Sequence, residues 1–133
     1  MTTFVDTNVL IDILEPNSEH HAWSKDAVEA AMVNGPVIVS DAVYSELSVS
    51  MDSVQATNEA ITELSLSRIG YSDTVLFMAG KAFAAYRKNK GTKMNVLPDF
   101  FIGALADDEG APLLTRDPSK VRAYFPNVSL ITP

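Results

Sequence analysis

The sequence predicts an α/β fold in which a central parallel sheet is covered by helices on both faces. Short apolar segments with strand character alternate along the chain with longer helical segments, as in folds with a parallel sheet. The strand segments are mainly apolar, which is typical of strands buried on both faces. The chain has 133 residues and shows no linker or repeat, so we expect a single domain over residues 1–133.

The first half of the chain contains two of the predicted strands. In order, the predicted elements are a strand over residues 3–6, helices over 7–14 and 18–34, a strand over 37–39 and a helix from Ser40 or Asp41 to about 49. Pro16 ends the first helix, and Gly35 followed by Pro36 ends the second, because neither residue type favours a continuing helix. Ser and Asp are favoured N-cap residues, so they mark where the third helix begins.

The second half contains two further strands and one ambiguous segment. In order, we predict a helix over 52–64, a short extended piece at 66–69, a helix from Ser72 and Asp73 to near Gly91, a helix from Pro98 and Asp99 to Gly110, a strand over 112–115, a short turn or helix, and a strand over 128–131. The helix that starts after Ser72 carries an apolar stripe at Val75, Ala79 and Phe83, which predicts one face packed on the core.

Composition excludes several classes of protein. The absence of cysteine rules out disulfides, thiol catalysis and Cys-rich zinc sites. No Lys or Arg precedes the apolar N-terminal stretch, and Asp6 and Asp12 interrupt it, so it is neither a signal peptide nor a membrane span. We therefore expect a cytoplasmic protein with no membrane partner. The net charge of −7 argues against nucleic-acid binding, unless divalent cations cover a group of clustered acids.

Four acids are placed where such a group would form. In parallel sheets, ligands bind beyond the carboxyl ends of the strands. Asp6 ends the first strand and Asp117 follows the strand over 112–115, while Glu46 lies in the helix after the second strand and Asp99 opens the most apolar helix. These residues are far apart in sequence, but the predicted sheet would bring them together.

Three of these acids also have a simpler interpretation. Asp6 and Asp99 could cap the helices that follow them, and Asp117, which precedes Pro118, could be a turn residue. Glu46 has no such interpretation, because the positions three and four residues away hold no basic side chain to pair with it. An acid without a local partner beside an apolar stripe is a candidate for a functional site.

Clustered carboxylates repel each other, and a divalent cation would relieve that repulsion. The chain has no cysteine, and the adjacent His20 and His21 would point about 100° apart on a helix, so the available ligands are oxygen atoms. Oxygen ligands favour Mg²⁺ or Mn²⁺ over zinc, and such a site suits phosphoryl chemistry. Asn8 and Thr115 lie two residues from an acid and are candidates for supporting it.

Four segments of the chain together resemble the motifs of PIN-domain nucleases. They are FVDTNVLIDIL at residues 4–14, VSDAVYSELS at 39–48, LPDFFIGALA at 97–106 and LLTRDPSKVRAYFP at 113–126. Their order and spacing resemble in particular the VapC-type toxins of bacterial and archaeal toxin–antitoxin pairs. The chain departs from the family at Gly103, where the family more often has Ala.

The resemblance implies a Rossmann-like α/β/α sandwich that cleaves RNA with Mg²⁺ or Mn²⁺. On the matching positions, it implies that the catalytic and metal-binding acids are Asp6, Glu46, Asp99 and Asp117, supported by Asn8 and Thr115. VapC-type toxins are usually homodimers that an antitoxin peptide holds inactive. We therefore expect an RNA substrate, a cognate antitoxin and a homodimer.

Basic residues near the end of the long helix are candidates for contacts with the RNA backbone. These candidates are Arg87, Lys88, Lys90 and Lys93, together with Arg116 beside the last acid. An alternative for Arg87, Lys88 and Lys90 is that they complement the negative C-terminal end of the helix.

Three other functions are compatible with parts of the sequence. A phosphatase of the haloacid dehalogenase type also has Asp after its first strand, but it needs a second Asp two residues later, where this chain has Asn8, and the chain is too short for a cap domain. A PIN-domain nuclease of RNA processing would differ in its gene neighbourhood. A non-catalytic module with the same fold would normally have lost at least one of the four acids.

Overall fold

A computed structural model of the protein describes residues 1–92 and 97–133. In these residues, an all-parallel sheet of five strands is flanked by seven helices. The strands are β1 Thr3–Val5, β2 Val37–Ser40, β3 Ser67–Ile69, β4 Leu113–Leu114 and β5 Leu130–Ile131. The helices are α1 Thr7–Leu14, α2 His21–Asn34, α3 Asp41–Ser48, α4 Val54–Glu63, α5 Asp73–Lys88, α6 Leu97–Glu109 and α7 Ser119–Tyr124.

The strand order β3-β2-β1-β4-β5 confirms the predicted α/β fold with a central parallel sheet. β1 lies in the middle, where Phe4 pairs with Ile38 of β2 on one side and with Leu113 of β4 on the other. Phe4 and Val5 are almost completely buried, as expected for a strand covered on both faces. The ambiguous segment at 66–69 is the edge strand β3, which pairs with β2.

The predicted start of the second helix was three residues too early. The side chain of Ser18 accepts a hydrogen bond from the His20 backbone N–H and donates one to Asp12, so this segment forms a turn and α2 begins at His21. Serine side chains commonly compete with the backbone in this way. In the described part of the chain, no helix combines the length and apolar character needed to cross a membrane.

An aromatic cluster fixes α6 against α5 and α7. The Phe100 ring is fully buried, and its centroid lies 5.4–6.5 Å from those of its aromatic neighbours. These neighbours are Phe83, Tyr86, Tyr124 and Phe125. Aromatic pairs at such separations stabilise a core beyond the burial of their area. Because Phe100 directly follows Asp99, this packing also fixes the first turn of α6.

Candidate active site

The four predicted acids line one pocket at the carboxyl edge of the sheet. β1 and β4 are parallel neighbours, so the residues that follow them emerge at the same edge. The pocket has a volume of about 440 Å³ and is lined by Asp6, Thr7, Asn8, Ile11, Glu46, Val49, Ser50, Asp99 and Asp117. We call the set Asp6, Glu46, Asp99 and Asp117 the acid pocket.

Asp6 is the most tightly held member of the acid pocket. It occupies the N-cap of α1, and its Oδ1 accepts a hydrogen bond of 2.8 Å from the Thr7 backbone N–H. Its Oδ2 accepts one of 2.7 Å from the Thr115 hydroxyl and a longer one from Asn8 Nδ2. Burial raises the pKa of Asp6, and the hydrogen bonds from Thr115 and Thr7 offset only part of that rise. Asp6 therefore caps α1 with one carboxylate oxygen, while its second oxygen is hydrogen-bonded to Thr115 and Asn8.

Glu46 reaches the pocket from the middle of α3. Its Oε1 accepts a hydrogen bond of 2.9 Å from the Thr7 hydroxyl. Burial raises the pKa of Glu46, the hydrogen bond from Thr7 opposes the rise, and the charge of Asp6 adds to it. The partner that the sequence did not reveal is therefore a hydroxyl group, not a cation.

Asp99 lies close enough to the other three acids for their charges to act on it. Its pKa is raised to about 7, first by burial and further by the nearby charges of Asp6, Asp117 and Glu46, whereas Lys120 opposes the rise. An acid in the first turn of a helix is normally stabilised in its charged form by the helix dipole. The raised pKa shows that burial, together with the charges of the other carboxylates, outweighs any such benefit.

The loop of residues 115–117 joins the fourth acid to the first. The buried Thr115 hydroxyl donates to Asp6 and accepts a hydrogen bond of 3.0 Å from the backbone N–H of Asp117. Asn8 accepts one of 3.1 Å from the Arg116 backbone N–H, and its own amide lies 3.5 Å from the Thr115 hydroxyl. Asn8 and Thr115 thus lie between the first strand and the loop that carries Asp117, and their role in supporting the acids stays a prediction.

The acid pocket fits a hard divalent cation that keeps part of its water shell. All of its ionisable donors are carboxylate oxygens, which Mg²⁺ and Mn²⁺ prefer. Among the described residues, no three Asp, Glu or His side chains stand close enough together to enclose an ion directly. Mg²⁺ commonly retains several waters and binds through one or two carboxylates, so an open group of mutually repelling acids matches its requirements.

The predicted RNA-contact residues fall in two places. Arg87 and Lys88 lie in the last turn of α5, with Lys90 just beyond it, whereas Lys93 lies outside the described residues. The Arg116 guanidinium donates to the buried carboxylate of Asp12, and its side chain is 25% exposed. Its contact with RNA stays a prediction.

Two residues of the site, Thr7 and Lys120, were not predicted from the sequence. Thr7 was predicted only as the first residue of a helix. In the structure its hydroxyl donates a hydrogen bond to Glu46 and so links α3 to the residue that follows Asp6. Lys120 on α7 lies near enough to Asp99 to lower its pKa, and its amino group stands 5.4 Å from the centre of the Tyr86 ring. The available signals were a hydroxyl residue directly after Asp6 and a lysine three residues after Asp117.

The fold recurs in solved structures of toxin–antitoxin proteins. VapBC2 from Rickettsia felis, bound to a DNA fragment of its promoter, matches with a TM-score of 0.76 and 20% identity over 100% of this chain and 99% of that chain. A toxin–antitoxin complex from Klebsiella pneumoniae matches with a TM-score of 0.68 and 25% identity over 98% of this chain and 97% of that chain. VapC20 from Mycobacterium tuberculosis, a sarcin-ricin loop cleaving toxin, matches with a TM-score of 0.64 and 15% identity over 91% and 94% of the two chains.

The family itself is identified from the sequence. Curated proteins give no match to this chain. The family model of the PIN domain, in contrast, matches residues 3–125, a range that contains all four acids and both supporting residues. The chain therefore belongs to the PIN-domain family.

Proposed function

We propose that the protein is a ribonuclease that depends on Mg²⁺ or Mn²⁺ and acts as the VapC-type toxin of a toxin–antitoxin pair. The observation that carries this proposal is the acid pocket, in which four carboxylates from separate elements lie together, and in which burial and the charges of the other three acids raise the pKa of Asp99 to about 7. Clustered carboxylates destabilise the folded protein unless a cation compensates their charge, so such a cluster indicates a functional site. Membership of the PIN-domain family and the likeness to toxin–antitoxin structures support the same proposal.

The residues of the chain contribute position and charge. When bound, a divalent ion would polarise a phosphate and lower the pKa of a bound water. Asp6, Glu46, Asp99 and Asp117 would hold it. Thr7 and Thr115 each donate a hydroxyl hydrogen bond that orients one of these carboxylates. Asn8, in the first turn of α1, is hydrogen-bonded to the loop of residues 115–117, so two acids from opposite ends of the chain keep a fixed relation.

Removing divalent metal is expected to abolish RNA cleavage. The purified protein should cleave single-stranded RNA in Mg²⁺ or Mn²⁺, stop when excess chelator is added, and resume when the metal is restored, because the acid pocket without a cation would repel a phosphate. Fragment gels of one RNA under the three conditions measure this. Undiminished cleavage in chelator by protein free of contaminating ribonuclease would overturn the metal mechanism.

A cognate antitoxin is expected to inhibit cleavage by covering the acid pocket. A segment that offers Arg or Lys to the carboxylates would form charge-assisted hydrogen bonds there, and the exposed Val49 at the rim offers an apolar contact. Expression of the chain alone should arrest growth, and co-expression of the product of a small adjacent gene should relieve the arrest. Harmless overexpression, together with the absence of such a gene, would contradict the toxin assignment.

We also propose that the protein forms a homodimer, which light scattering of the purified chain would test.

The basic end of α5 is expected to hold the RNA backbone. Asn89 Nδ2 donates to the Tyr124 hydroxyl at 3.3 Å, which places this end of α5 beside α7 and on the side of Lys120. Replacing Lys88 and Lys90 with Gln should raise KM for RNA, leave kcat unchanged, and reduce the slope of log affinity against log salt by roughly 1.4 for two phosphate contacts on a single strand.

The matched control replaces Lys25 and Lys81 with Gln. This pair changes the net charge equally, but Lys25 pairs with Glu29 on α2, and Lys81 lies in the middle of α5 over Phe77. The control should leave KM and the salt slope close to those of the wild type. If both double variants change KM equally, the effect is one of overall charge, and the lysines at the end of α5 only complement their helix.

A further inference from the structure

A buried ion pair links α1 to the loop beside the acid pocket. Asp12 is only 3% exposed, yet its two oxygens receive four hydrogen bonds. The Arg116 guanidinium donates to both oxygens, while Ser24 donates to Oδ2 at 2.7 Å and Ser18 to Oδ1 at 3.2 Å. Burial alone would raise the pKa of Asp12, but the hydrogen bonds from Arg116 and Ser24 outweigh it and lower the pKa below the ordinary value. Asp12 is therefore ionised at neutral pH.

The cation of this pair sits between two residues of the site. Arg116 lies between Thr115, which donates to Asp6, and Asp117, whose backbone N–H donates back to Thr115. The Arg116 backbone N–H is bonded to Asn8 at 3.1 Å. The backbone of the loop is thus anchored at every residue, and the direction of the Arg116 side chain is set by Asp12.

The position of the guanidinium matters because a second carboxylate, that of Asp6, lies near it. Arg116 is close enough to Asp6 for its charge to lower the pKa of that acid, but in the described part of the chain its ion pair is with Asp12 alone. Guanidinium groups form strong two-pronged pairs with carboxylates. A guanidinium released beside the acid pocket would compete with a metal ion for the same oxygens.

We infer that Asp12 is a positioning residue that holds the Arg116 guanidinium away from the acid pocket, which keeps the pocket's carboxylates available to a divalent cation. Asp12 itself lies outside the set of carboxylates that lines the pocket. The inference rests on the proposed function, since it requires that the acid pocket bind metal. It adds a specific prediction, because the effect of losing Asp12 must depend on the presence of Arg116.

The test is the affinity of the full-length protein for Mn²⁺ alone, measured by isothermal titration calorimetry. Asp12→Asn should weaken Mn²⁺ binding by roughly 10–100-fold, the usual effect of losing a group that supports metal ligands. The double variant Asp12→Asn, Arg116→Gln should recover an affinity within a few-fold of the wild type, because no guanidinium remains to compete. Asp12→Glu, which keeps the charge, should also bind close to normally.

Melting temperatures distinguish positioning from simple structural support. Ser24→Ala removes one hydrogen bond to Asp12 but leaves the ion pair, so it should lower the melting temperature without changing Mn²⁺ affinity. A purely structural role for Asp12 makes a different forecast, in which affinity falls in step with stability across all variants and the double variant is no better than Asp12→Asn.

Each outcome bears on one of the two proposals. If the wild type binds neither Mn²⁺ nor Mg²⁺, the proposed function fails. If the wild type binds Mn²⁺ and Asp12→Asn binds it equally well, only the inference about Asp12 fails. Should Asp12→Asn not fold, Arg116→Gln and the double variant decide, since both should bind Mn²⁺ within a few-fold of the wild type. A large loss of affinity in the double variant would overturn the inference, because Asp12 would then serve the site independently of Arg116.

Discussion

Replacing Asp6 with Asn is expected to reduce RNA cleavage by two to three orders of magnitude while leaving the protein folded. Asn is as good an N-cap as Asp, so α1 keeps its first hydrogen bond. The second side-chain atom changes from an acceptor of the Thr115 hydroxyl to an amide, and one of four metal-binding charges is lost. A loss of about 3–4 kcal/mol of transition-state stabilisation corresponds to this rate effect.

Cleavage rates of the Asp6→Asn variant and the wild type, at saturating Mg²⁺ and with matched melting curves, measure the effect. Asp26→Asn is the control, because it removes an exposed carboxylate in the middle of α2 and changes the net charge equally. A variant at position 6 that retains more than about half of the activity has lost less than 0.5 kcal/mol. Asp6 would then be only the cap of its helix.

The elements that carry the acids could be predicted because their signals are local. Apolar runs marked the strands that became β1, β2, β4 and β5, and polar residues at Ser40 and Ser72 marked the starts of α3 and α5, where their side chains do accept the capping hydrogen bonds. The rule that ligands bind at the carboxyl edge of a parallel sheet then placed the acids together. β3 stayed ambiguous because it is a short edge strand with exposed residues.

The pairing of Asp12 with Arg116 could not be predicted in the same way, since 104 residues separate them. Asp12 lies one turn beyond Asn8 on α1, a position from which a side chain can either line the pocket or face solvent. It does neither, because it is buried against Arg116, Ser18 and Ser24. The available indication in the sequence was Arg116 itself. It lies between Thr115 and Asp117, two residues assigned to the site, and a cation there calls for a carboxylate partner.

Gly103 in α6 has a packing role that its low helix propensity alone does not reveal. In a helix interior, glycine costs about 1 kcal/mol relative to alanine, and the sequence offered no compensation. In the structure, a Cβ at this position would lie 2.6 Å from Cδ2 of Phe125 and 3.3 Å from Cγ2 of Val121. The absence of a side chain therefore lets α7 and Phe125 pack closely on α6, a benefit that appears only in the tertiary structure.

Replacing Asp99 with Asn is expected to raise the melting temperature of the metal-free protein at pH 8. The pKa of Asp99 is about 7 in the folded protein against an ordinary value of 3.8, so the folded state holds a proton that the unfolded state has released between these values. Stability from this group therefore falls as the pH rises from about 4 to about 7 and stays low above that range. Asn cannot ionise, so the variant lacks this loss.

The size of the effect follows from the exposure of the side chain. Solvent reaches Asp99 in part and screens the repulsion, so we expect relief of about 1 kcal/mol, which raises the melting temperature of a domain this size by roughly 3–6 °C. The difference between variant and wild type should shrink as the pH falls towards and below 4, where Asp99 becomes protonated in the unfolded state as well as in the folded state. Asp26→Asn should show no comparable dependence on pH.

Metal should offset the difference in stability that the two proteins show in chelator. With free Mg²⁺ at about ten times its dissociation constant, the wild type should gain about 1.4 kcal/mol, while Asp99→Asn, which has lost one carboxylate, should gain less. Thermal melts of both proteins at pH 5 and pH 8, with chelator and with Mg²⁺, measure all of these differences. If Asp99→Asn is less stable than the wild type in chelator at pH 8, and Mg²⁺ shifts neither protein, the four carboxylates do not act as one site and Asp99 only complements the dipole of α6.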